Sequence, residues 1–429
     1  MKSVNECKPH RVSETAEVLK ASSAEINTKL VREILSYTNW NSIKKILKGK
    51  SIDFIDFFSG VGGLTYGFHS IAVEADLFNL IGAFDIDQHA NKTYIRNFGF
   101  APSNLDLSSA TIDQIKSCLK TDKLKKWNPL IILGGPPCQG FSAHKKKDPR
   151  LDPRNSLLAR FAEISVKLDA ELIITENVPD LLGKKHWHHY QAFQSTLEKG
   201  GYHIAADILN MAEYGVPQER FRAVIIASKH FVPTLPEPQL SRRAFRTVRD
   251  AIGALPPLEA GGFCKSDQMH ITSRHRKETV DLIKRIPKNG GSRPAGMGPP
   301  CLDRVKGFYD VYGRLSWDRP AVTITARCRT PSCGRFVHPE QDRGLSVREA
   351  ALLQGFPPSY IFEGPFDDKF KQIGNAVPPI FSLHLAAHVL SMLAGKNRGE
   401  AGCEKLIREP LFDSYSGVIA GLKRTSHIT

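Results

Sequence analysis

The chain has 429 residues and a mass of 47.7 kDa, which is too long for one ordinary hydrophobic core and predicts a large domain accompanied by a smaller one. Its hydrophobic fraction of 41% and its charged fraction of 24% are typical of a folded globular protein and exclude global disorder. No apolar run approaches the ~20 residues that a membrane span needs, and the polar N-terminus lacks the apolar core of a signal peptide. We therefore expect a soluble, cytoplasmic protein with no membrane partner.

The charge balance indicates a polyanionic partner. The chain carries 59 Lys and Arg residues against 44 Asp and Glu residues, a net charge of +15, and such an excess is common in proteins that bind nucleic acid. The segment from Pro236 to Arg343 holds 20 basic residues, 15 of them Arg, and 11 acidic ones, so it contributes +9. Arginine suits bidentate contacts to phosphate and to guanine edges. For this segment alone, a nucleic-acid interface and a solvated basic face are equally good interpretations.

The eight cysteines show no paired spacing of the kind found in disulfide-rich or zinc-binding proteins. Cys328 and Cys333 are the closest pair, but neither a second close pair nor a His-x-x-x-His lies nearby, so a structural zinc site is not predicted. We expect mostly reduced thiols and no bound metal.

Residues 1–50 are polar with weak helical periodicity, which predicts an accessory helical arm. From Ser51 onwards, short apolar runs alternate with helical stretches, and this alternation predicts an α/β fold with a mainly parallel sheet and helices on both of its faces. The predicted strands are Phe54–Phe58, Leu80–Phe84, Leu130–Leu133, Leu172–Thr175 and Ala223–Ala227. The predicted helices are Leu157–Leu168, Tyr190–Lys199, Ser346–Gln354 and Pro379–Leu393.

Changes in composition divide the chain further. Prolines at 233, 236 and 238 follow the last predicted strand, and a basic, loop-rich segment with short strands comes after them. The predicted organisation is a sheet domain over residues 51–235, a smaller loop-rich domain over 236–343 and a return to the sheet domain over 344–395. A C-terminal tail spans 396–429.

A glycine-rich turn follows the first predicted strand. Ser59-Gly60-Val61-Gly62-Gly63 leads into a helical pattern, and glycines at such a place let a ligand approach the backbone and the helix N-terminus. Asp85 ends the next strand 25 residues after Gly60, where it could bind a ribose hydroxyl. The pattern is generic, because nicotinamide, flavin and S-adenosylmethionine cofactors fit it, and so does a tight structural turn. The third glycine of a dinucleotide motif is missing.

The turn after strand Leu130–Leu133 is more specific. Its sequence is Gly134-Gly135-Pro136-Pro137-Cys138-Gln139-Gly140-Phe141-Ser142. Adjacent prolines make the turn rigid and place Cys138 at the carboxyl end of a parallel sheet, where such sheets bind ligands. A cysteine there is a candidate nucleophile, whereas a cysteine that only fills buried space would need no rigid prolines.

Three further motifs carry polar groups. Glu176-Asn177-Val178 follows strand Leu172–Thr175, and a carboxylate there could act as a general acid or hold a ring nitrogen. Gln218-Glu219-Arg220-Phe221-Arg222 precedes strand Ala223–Ala227, and its spacing predicts two arginines on one side of an extended backbone. Gln372-Ile373-Gly374-Asn375-Ala376-Val377-Pro378-Pro379 opens the C-terminal helix.

In this order, the motifs resemble those of the DNA (cytosine-5) methyltransferase family in its prokaryotic restriction-modification form. The resemblance includes Arg348-Glu349 with Leu353-Gln354-Gly355-Phe356-Pro357, extends from residue 52 to residue 395, and leaves out the arm and the tail. One motif could arise by chance, whereas six in the family's order are specific. The resemblance implies a Rossmann-like, S-adenosylmethionine-dependent methyltransferase fold and the activity of a DNA (cytosine-5-)-methyltransferase.

The resemblance also assigns catalytic roles. Cys138 matches the cysteine whose thiolate adds to C6 of the cytosine, so that C5 can attack the methyl donor. Glu176 matches the glutamate that holds the cytosine at N3 and at its amino group. Arg222 and Arg220 match arginines that contact the base or a nearby phosphate. The family flips the target base out of the duplex before the reaction.

For the cofactor S-adenosylmethionine, the resemblance implies a set of binding residues: Phe57, Gly60, Gly62, Asp85, Ile86, Asp106, Pro137, Leu157 and Asn375. Asp85 matches the acid at the ribose, Ile86 the residue against the adenine ring, and Asp106 the acid at the adenine amino group. The family more often has Glu and an aromatic residue in place of Asp85 and Ile86, so the charge is retained here and the stacking is weaker.

The resemblance makes the basic segment 236–343 the target recognition domain. Thr323-Ile324 is similar to the Thr and branched apolar pair of such domains, and Arg327, Arg329 and Arg335 lie around it. For any single arginine, a phosphate or surface role is more common than base reading, because roughly half to two-thirds of protein–DNA hydrogen bonds go to the backbone.

The implied partner is double-stranded DNA, bound by a monomer at the nucleoid. Gln139 and Ser142 belong to the loop over residues 139–155 that the family closes over DNA. A restriction endonuclease acting on the same site is the second expected partner.

Other classes of protein stay open on the residues alone. The tRNA-type cytosine-5 methyltransferases share the Pro-Pro-Cys-Gln and Glu-Asn-Val motifs, although the long basic segment favours duplex DNA. A catalytically idle DNA-binding module is disfavoured by the intact Cys138, Glu176 and Arg222. A nicotinamide-dependent oxidoreductase fits the glycine-rich turn but leaves the Pro-Pro-Cys turn unexplained.

Overall fold

The structure of the protein is a computed structural model. It describes residues 31–33, 45, 51–120, 128–137, 157–298, 310–395, 398–399 and 406–413. Nearly all of the predicted helical arm falls outside these residues. So do Cys138, Gln139, Ser142 and the rest of the predicted DNA-closing loop.

The described residues form two compact units. The sheet unit consists of the described parts of Leu30–Asn210, Phe221–Pro238 and Phe381–Thr429. The loop-rich unit contains Met211–Arg220 and Gln239–Ile380. The chain therefore leaves the sheet unit twice and returns to it twice.

The sheet unit is built on six strands in the order β2-β1-β3-β4-β6-β5. They are β1 (Ile52–Phe57), β2 (Phe78–Phe84), β3 (Leu130–Gly134), β4 (Leu172–Asn177), β5 (His203–Asn210) and β6 (Phe221–Ser228). Strands β1 to β4 are parallel to one another, whereas β6 runs antiparallel to both β4 and β5. An α/β fold with a mainly parallel sheet is thereby confirmed. The sequence does not predict β5, because His203 and Asp207 interrupt its apolar pattern at the edge of the sheet.

Helices connect the parallel strands. The described α-helices are α1 (Gly63–Ala75), α2 (Gln88–Phe98), α3 (Ile112–Ser117), α4 (Leu157–Lys167), α5 (Trp187–Lys199), α6 (Val248–Ile252), α7 (Lys277–Lys284), α8 (Val347–Leu353), α9 (Phe366–Asn375) and α10 (Pro379–Leu393). The four predicted helices match α4, α5, α8 and α10. The chain moves along the sheet in opposite directions from β1 to β2 and from β3 to β4. Because such crossovers are right-handed, α1 and α4 cover opposite faces.

The central strands are buried on both sides. Every residue of β1 and β4 is buried, and β3 has a single half-buried residue, Leu130. Two-sided burial explains why these segments are nearly continuous apolar runs and not alternating patterns. Polar residues in such strands are therefore informative, and Asp56 in β1 and Glu176 with Asn177 in β4 all lie near the carboxyl ends.

The loop-rich unit has a small antiparallel sheet, β7 (Phe263–Cys264) with β8 (Asp267–Ile271), and arginines in its interior. Arg314 is fully buried and donates to four backbone carbonyls. Arg343 is also fully buried and forms an ion pair with Glu349 at 2.7 Å. Burial alone would raise the pKa of Glu349, but the charge and hydrogen bonds of Arg343 lower it to about 2. Part of the basic excess of segment 236–343 is therefore internal.

One described stretch, Phe366–Leu393, is long and apolar enough to cross a membrane. Most of it is buried inside the protein, as in the core helix of a globular domain. The stretch therefore gives no support to a membrane span.

Candidate active site

The glycine-rich turn after β1 has a backbone conformation that glycine adopts more easily than other residues. Phe58, Gly60 and Gly62 have positive φ angles of 56°, 51° and 80°. A Cβ atom at Gly62 would lie 2.1 Å from a ring carbon of Phe98, so a larger residue would have to displace this ring and adopt a strained positive φ. Gly62 is also the N-cap of α1. The turn thus brings bare backbone and a helix start to the carboxyl edge of the sheet, where parallel sheets bind ligands.

Asp85, directly after β2, stabilises this turn through hydrogen bonds. Its Oδ2 accepts a hydrogen bond from the Gly60 N–H at 2.8 Å, and its Oδ1 accepts one from the Asp87 N–H at 2.8 Å. Gly60 and Asp85, predicted as parts of one cofactor site, are therefore in contact. Ile86 beside them has a side chain that is 65% exposed and is available to pack against a ring. Asp106 is exposed, and hydrogen bonds from Ser108 lower its pKa.

Two of the predicted cofactor residues have buried side chains. Phe57 is fully buried and stacks on Phe84 with ring centroids 5.0 Å apart, so only its main chain can face a ligand. Leu157, at the start of α4, is also buried. Phe58 is half-buried within the turn itself, and its ring is the better candidate for a cofactor contact. The sequence does not separate Phe58 from Phe57, because β1 is buried on both sides and lacks an alternating pattern.

A buried carboxyl group braces the same turn. Asp56 is 1% exposed, and its Oδ2 accepts a hydrogen bond from Thr65 Oγ1 at 2.5 Å. Thr65 Oγ1 in turn lies 2.8 Å from the Tyr94 hydroxyl. Burial raises the pKa of Asp56 to about 7, although the hydrogen bond from Thr65 opposes the rise. The three side chains link β1 to α1 and α2.

The proline turn begins where β3 ends, at Gly134. A Cβ atom at Gly134 would lie 2.5 Å from the ring of Phe161 in α4, so the close approach of helix and strand requires glycine. The carbonyl of Pro136 accepts a hydrogen bond from Asn177 Nδ2 at 3.3 Å. This bond joins two motifs that the sequence predicts separately. Pro137 is half-buried, and Cys138 comes next in the chain.

Glu176 and Arg222 form an ion pair at adjoining ends of β4 and β6. Arg222 Nε lies 3.0 Å from Glu176 Oε1, and the side chains are 11% and 10% exposed, respectively. The antiparallel register pairs Glu176 with Val224, which brings Arg222 to the same end of the sheet. The pair therefore combines a hydrogen-bond acceptor with a donor where little water reaches, an arrangement suited to the edge of a heterocycle.

Asp180 is an acidic neighbour of this pair that the sequence analysis missed. It belongs to the 3-10 helix Pro179–Leu182, which follows β4. Burial raises the pKa of Asp180, and the charges of Lys185 and Arg222 oppose that rise. The one available signal in the sequence is its position four residues after Glu176.

Arg220 has different contacts from Arg222. It lies in the loop-rich unit and is 2% exposed. Its guanidinium donates to the carbonyl oxygen of Ile324 at 3.0 Å and to those of Gly374 and Ala376 at 3.2 Å. In this structure Arg220 thus holds segments of the loop-rich unit together.

Gln218 extends the network around Arg220. Its Nε2 donates to the Leu353 carbonyl at 2.8 Å and to Gln354 Oε1 at 2.7 Å, and its Oε1 accepts from the Ile324 N–H at 2.9 Å. Gln354 Nε2 donates to the Ala376 carbonyl at 2.6 Å. Three motifs that lie far apart in sequence therefore meet in one buried polar network.

The network fixes the backbone around Asn375. This residue ends α9, and it is exposed. A Cβ atom at Gly374 would lie 2.1 Å from the backbone nitrogen of Ala326, so the segment before Asn375 is tightly packed. The side chain of Asn375 is thus presented from a rigid backbone.

The side chains of two predicted DNA-reading residues form hydrogen bonds within the loop-rich unit. Thr323 Oγ1 donates to the Glu219 carbonyl at 2.9 Å. The Arg335 side chain is 18% exposed, and its guanidinium reaches three backbone carbonyls and the side chains of Asp310 and Ser292. Arg335 therefore stabilises the loop-rich unit.

The two other arginines of that set are more accessible. Arg329 forms an ion pair with Asp367 at 2.8 Å, and both side chains are exposed. Arg327 is exposed, and within the described residues its guanidinium forms no hydrogen bond or ion pair. Arg327 is thus the arginine of this set that a partner reaches most easily.

Comparison with known proteins gives consistent matches. The model of the C-5 cytosine-specific DNA methylase family matches residues 52–390. The chain is 34% identical over 349 residues to the type II methylase M.HgiDII of Herpetosiphon aurantiacus, covering 80% of this chain and 96% of that protein. It is 32% identical over 355 residues to the type II methyltransferase M1.HphI of Haemophilus parahaemolyticus, covering 81% and 89%.

A solved structure shares the fold. The crystal structure of a protein described as a DNA modification methyltransferase, encoded within an Escherichia coli prophage, superposes with a TM-score of 0.60 at 24% identity. The match covers 80% of this chain and 99% of that one. The fold is thus of the methyltransferase class. The chain belongs to the C-5 cytosine-specific DNA methylase family, and it is a DNA (cytosine-5-)-methyltransferase, as the order of its motifs predicts.

Proposed function

We propose that this enzyme transfers a methyl group from S-adenosylmethionine to C5 of a cytosine that it flips out of a specific double-stranded DNA sequence. The transfer passes through a covalent bond between Cys138 Sγ and C6 of the ring. The similarity to the type II enzymes M.HgiDII and M1.HphI supports a role as the modification half of a restriction–modification system. The enzyme acts as a monomer on DNA at the nucleoid, alongside an endonuclease that cuts the same sequence when it is unmethylated.

The ion pair of Glu176 with Arg222 carries this proposal. A cytosine presents its N3 between an amino group and a carbonyl oxygen. The Glu176 carboxyl accepts a hydrogen bond from the amino group and shares a proton with N3, and Arg222 contacts the carbonyl oxygen or a nearby phosphate. Addition of a thiolate at C6 places negative charge on the ring, and hydrogen bonds at N3 stabilise it. The ion pair at 3.0 Å and the burial of both side chains restrict their movement before the base arrives.

Arg220 fixes the backbone of the loop-rich unit. Its bonds to the carbonyls of Ile324, Gly374 and Ala376 keep the segment next to Thr323 and the segment around Asn375 in fixed positions. In the proposal, Arg220 is therefore a positioning residue, and Arg222 is the arginine that contacts the substrate.

The carboxyl edge of β1 and β2 fits S-adenosylmethionine. The turn at Gly60 and Gly62 offers bare backbone to the methionine part, Asp85 offers a carboxylate to the ribose, and Ile86 offers an exposed apolar side chain to the adenine. The other proposed contacts are Phe58, the main chain of Phe57, Asp106, Pro137, Leu157 and Asn375. When bound, S-adenosylmethionine supplies a methyl group attached to a positively charged sulfur. The turn and Asp85 orient it by fixed hydrogen-bonding groups.

The thiolate of Cys138 makes C5 nucleophilic. Sγ adds to C6, and the electron pair of the C5–C6 double bond moves to C5. C5 then bonds to the methyl carbon as the bond from that carbon to the donor sulfur breaks, and the electron pair of the broken bond stays on the sulfur, which becomes neutral. The C5 proton is then lost to a base, its electron pair restores the double bond, and the Sγ–C6 bond breaks to regenerate the thiolate. The hydrogen bond from Asn177 Nδ2 to the Pro136 carbonyl ties the Pro136-Pro137 turn to β4.

The loop-rich unit supplies sequence recognition in this proposal. Residues 236–343 act as the target recognition domain, and Thr323 contributes through the backbone it fixes. Arg327 is the proposed base reader because it is exposed. Arg329 exchanges Asp367 for a DNA phosphate. Gln139 and Ser142 contact DNA from the closing loop.

Methyl transfer to two nucleic acids tests the reaction. The wild-type enzyme, Cys138→Ser and the control Cys118→Ser, which alters an exposed cysteine, are incubated with radiolabelled S-adenosylmethionine and plasmid DNA or tRNA. We expect label in plasmid DNA only, a loss of more than about 1000-fold in Cys138→Ser, and no change in Cys118→Ser. S-adenosylmethionine binding by Cys138→Ser should stay near the wild-type level. Label in tRNA, or near-normal turnover by Cys138→Ser, would overturn the assignment.

Covalent trapping tests the addition step. DNA with 5-fluorocytosine at the target should form a denaturation-resistant complex with the wild-type enzyme, because fluorine cannot leave as a cation after methylation. Cys138→Ser should form none. An active wild-type enzyme without such a complex would contradict addition at C6. Bisulfite sequencing of plasmid from an expressing host then identifies the methylated sequence.

A further inference from the structure

The C-terminal segment 406–413 lies beyond the family match, which ends at residue 390, yet it packs into the sheet unit. Ile407 is 8% exposed and belongs to the hydrophobic core of this unit, together with Leu181 and Leu182. Arg408 forms an ion pair with Glu198 in α5 at 3.2 Å. The segment is therefore an integrated part of the sheet unit.

This segment lies beside the turn that follows the 3-10 helix Pro179–Leu182. The Leu411 N–H donates to the Leu182 carbonyl at 3.0 Å, and the Lys184 N–H donates to the Phe412 carbonyl at 2.9 Å. The two bonds form a parallel bridge between Gly183 and Phe412. The two hydrogen bonds therefore fix which residues of segment 406–413 lie opposite the turn.

The side chain of Phe412 also packs on this turn. A Cβ atom at Gly183 would lie 2.6 Å from the Phe412 ring. Gly183 has a φ of −92°, which other residues adopt readily. A larger residue at position 183 would therefore have to displace the Phe412 ring, although the backbone conformation there suits any residue.

The bridged turn is continuous with the end of β4. The Gly183 N–H donates to the Asp180 carbonyl at 3.1 Å, and the Leu181 N–H donates to the Val178 carbonyl at 3.1 Å. The same 3-10 helix packs against β6, the strand that carries Arg222. A shift of the turn would therefore move the structure that surrounds the Glu176–Arg222 pair.

We propose that segment 406–413 positions the Glu176–Arg222 pair, with Phe412 as the positioning residue that locks the turn Leu182–Lys184. This inference rests on the proposed role of the pair in holding the target base. Phe412 acts on base positioning and not on cofactor binding, because the glycine-rich turn lies at the ends of β1 and β2. Its loss therefore lowers kcat and leaves S-adenosylmethionine affinity unchanged.

The test compares two neighbouring substitutions in the full-length enzyme, well below its unfolding temperature. Phe412→Ala should lower kcat about tenfold, since small misplacements of catalytic groups have effects of this size or more. Its Kd for S-adenosylmethionine should stay within about twofold of the wild type. The matched control is Asp413→Ala, which removes an 89% exposed side chain paired with Lys184 at 3.5 Å and should leave kcat unchanged. A folded Phe412→Ala enzyme with wild-type kcat would overturn the proposal.

A second pair of variants tests the same contact even if Phe412→Ala does not fold. Gly183→Ala should lower kcat by itself, because the new Cβ meets the Phe412 ring. Adding Phe412→Leu to Gly183→Ala should restore kcat, since the shorter side chain makes room. Additive losses in the double variant would contradict coupling through this contact.

Glu176→Ala, assayed in parallel, separates this inference from the proposed function. If Glu176→Ala keeps the wild-type rate, the assigned role of the pair is wrong, and the positioning inference fails with it. If Glu176→Ala loses activity while Phe412→Ala and Gly183→Ala keep theirs, only the positioning by the C-terminal segment is wrong.

Discussion

Arg220 and Arg222 are two residues apart in one motif, yet the protein uses them differently. Arg220 donates to three backbone carbonyls of the loop-rich unit, whereas Arg222 pairs with the carboxylate of Glu176 in the sheet unit. A guanidinium that donates hydrogen bonds to several backbone carbonyls stabilises the fold, because removing it would leave buried polar groups unpaired. A guanidinium paired with one side chain can share that partner with a substrate. This contrast distinguishes side chains that stabilise the backbone from side chains that are available to contact a ligand.

The same conservative substitution at both positions tests this contrast, and Arg220→Lys should have the larger effect on stability. A single ammonium cannot reproduce a planar fork that reaches three carbonyls, so we expect the free energy of unfolding to fall by about 3 kcal/mol. Urea unfolding followed by circular dichroism measures it. Unchanged stability with lost activity would mean that Arg220 contacts the substrate.

Arg222→Lys should show the reverse pattern. A Lys ammonium can re-form this buried ion pair with Glu176, so no buried charge is left unpaired and the free energy of unfolding should change by less than about 1 kcal/mol. Turnover should fall about 100-fold, or about 2.7 kcal/mol in the activation free energy, because the planar donor geometry at the base is lost. Methyl transfer to plasmid at saturating S-adenosylmethionine checks this. A stability loss as large as that of Arg220→Lys would remove the distinction.

Two arginines of the loop-rich unit extend the comparison. Arg335 resembles Arg220, since it reaches backbone carbonyls, and Arg335→Ala should lower the free energy of unfolding by about 2 kcal/mol with the methylated sequence unchanged. Arg327 differs from Arg335, because it is exposed and its guanidinium forms no hydrogen bond or ion pair within the described residues. Arg327→Ala should therefore lower the discrimination between DNA sequences by the ~1–3 kcal/mol of a lost guanine contact. Bisulfite profiles on one plasmid distinguish these outcomes. An unaltered profile in Arg327→Ala would place base reading elsewhere.

Much of the fold and of the site is predictable from the sequence, because the signals are local. Short apolar runs with glycine or proline at their ends predict strands that end in ligand-binding turns, as at Gly60 and Gly134. The order of the motifs identifies the family. These signals depend on neighbouring residues alone, so they require no knowledge of distant contacts.

The remaining features depend on contacts between distant residues. The spacing of Arg220 and Arg222 predicts that both point to one side, but their partners at residues 324, 374 and 376 and at residue 176 come from elsewhere in the chain. Net charge likewise cannot show that Arg314 and Arg343 are buried. The packing of Phe412 on Gly183 joins residues that no shared motif connects.

Two carboxyl groups near the glycine-rich turn, Asp85 and Asp56, also differ in their roles. Asp85 lies at the end of β2 and accepts hydrogen bonds from two backbone N–H groups. Asp56 is buried within β1 against Thr65, and burial raises its pKa from 3.8 to about 7, with a further contribution from the charge of Asp85. Asp56 thus belongs to the fold, and its protonation state affects stability.

Asp56→Asn should therefore change how stability depends on pH. Between its two pKa values, Asp56 holds a proton in the folded protein that the unfolded chain has released, so this group stabilises the fold at low pH, and the effect is lost as pH rises through about 7. Asparagine does not titrate. From about pH 6 to about pH 7.5, the wild type should lose about 1 kcal/mol of unfolding free energy relative to Asp56→Asn. Urea unfolding at both pH values measures the difference, and the exposed Asp113→Asn controls for the loss of one carboxylate. If the wild type and Asp56→Asn follow parallel pH profiles, Asp56 does not carry the proton, and its bond to Thr65 is that of an ordinary carboxylate.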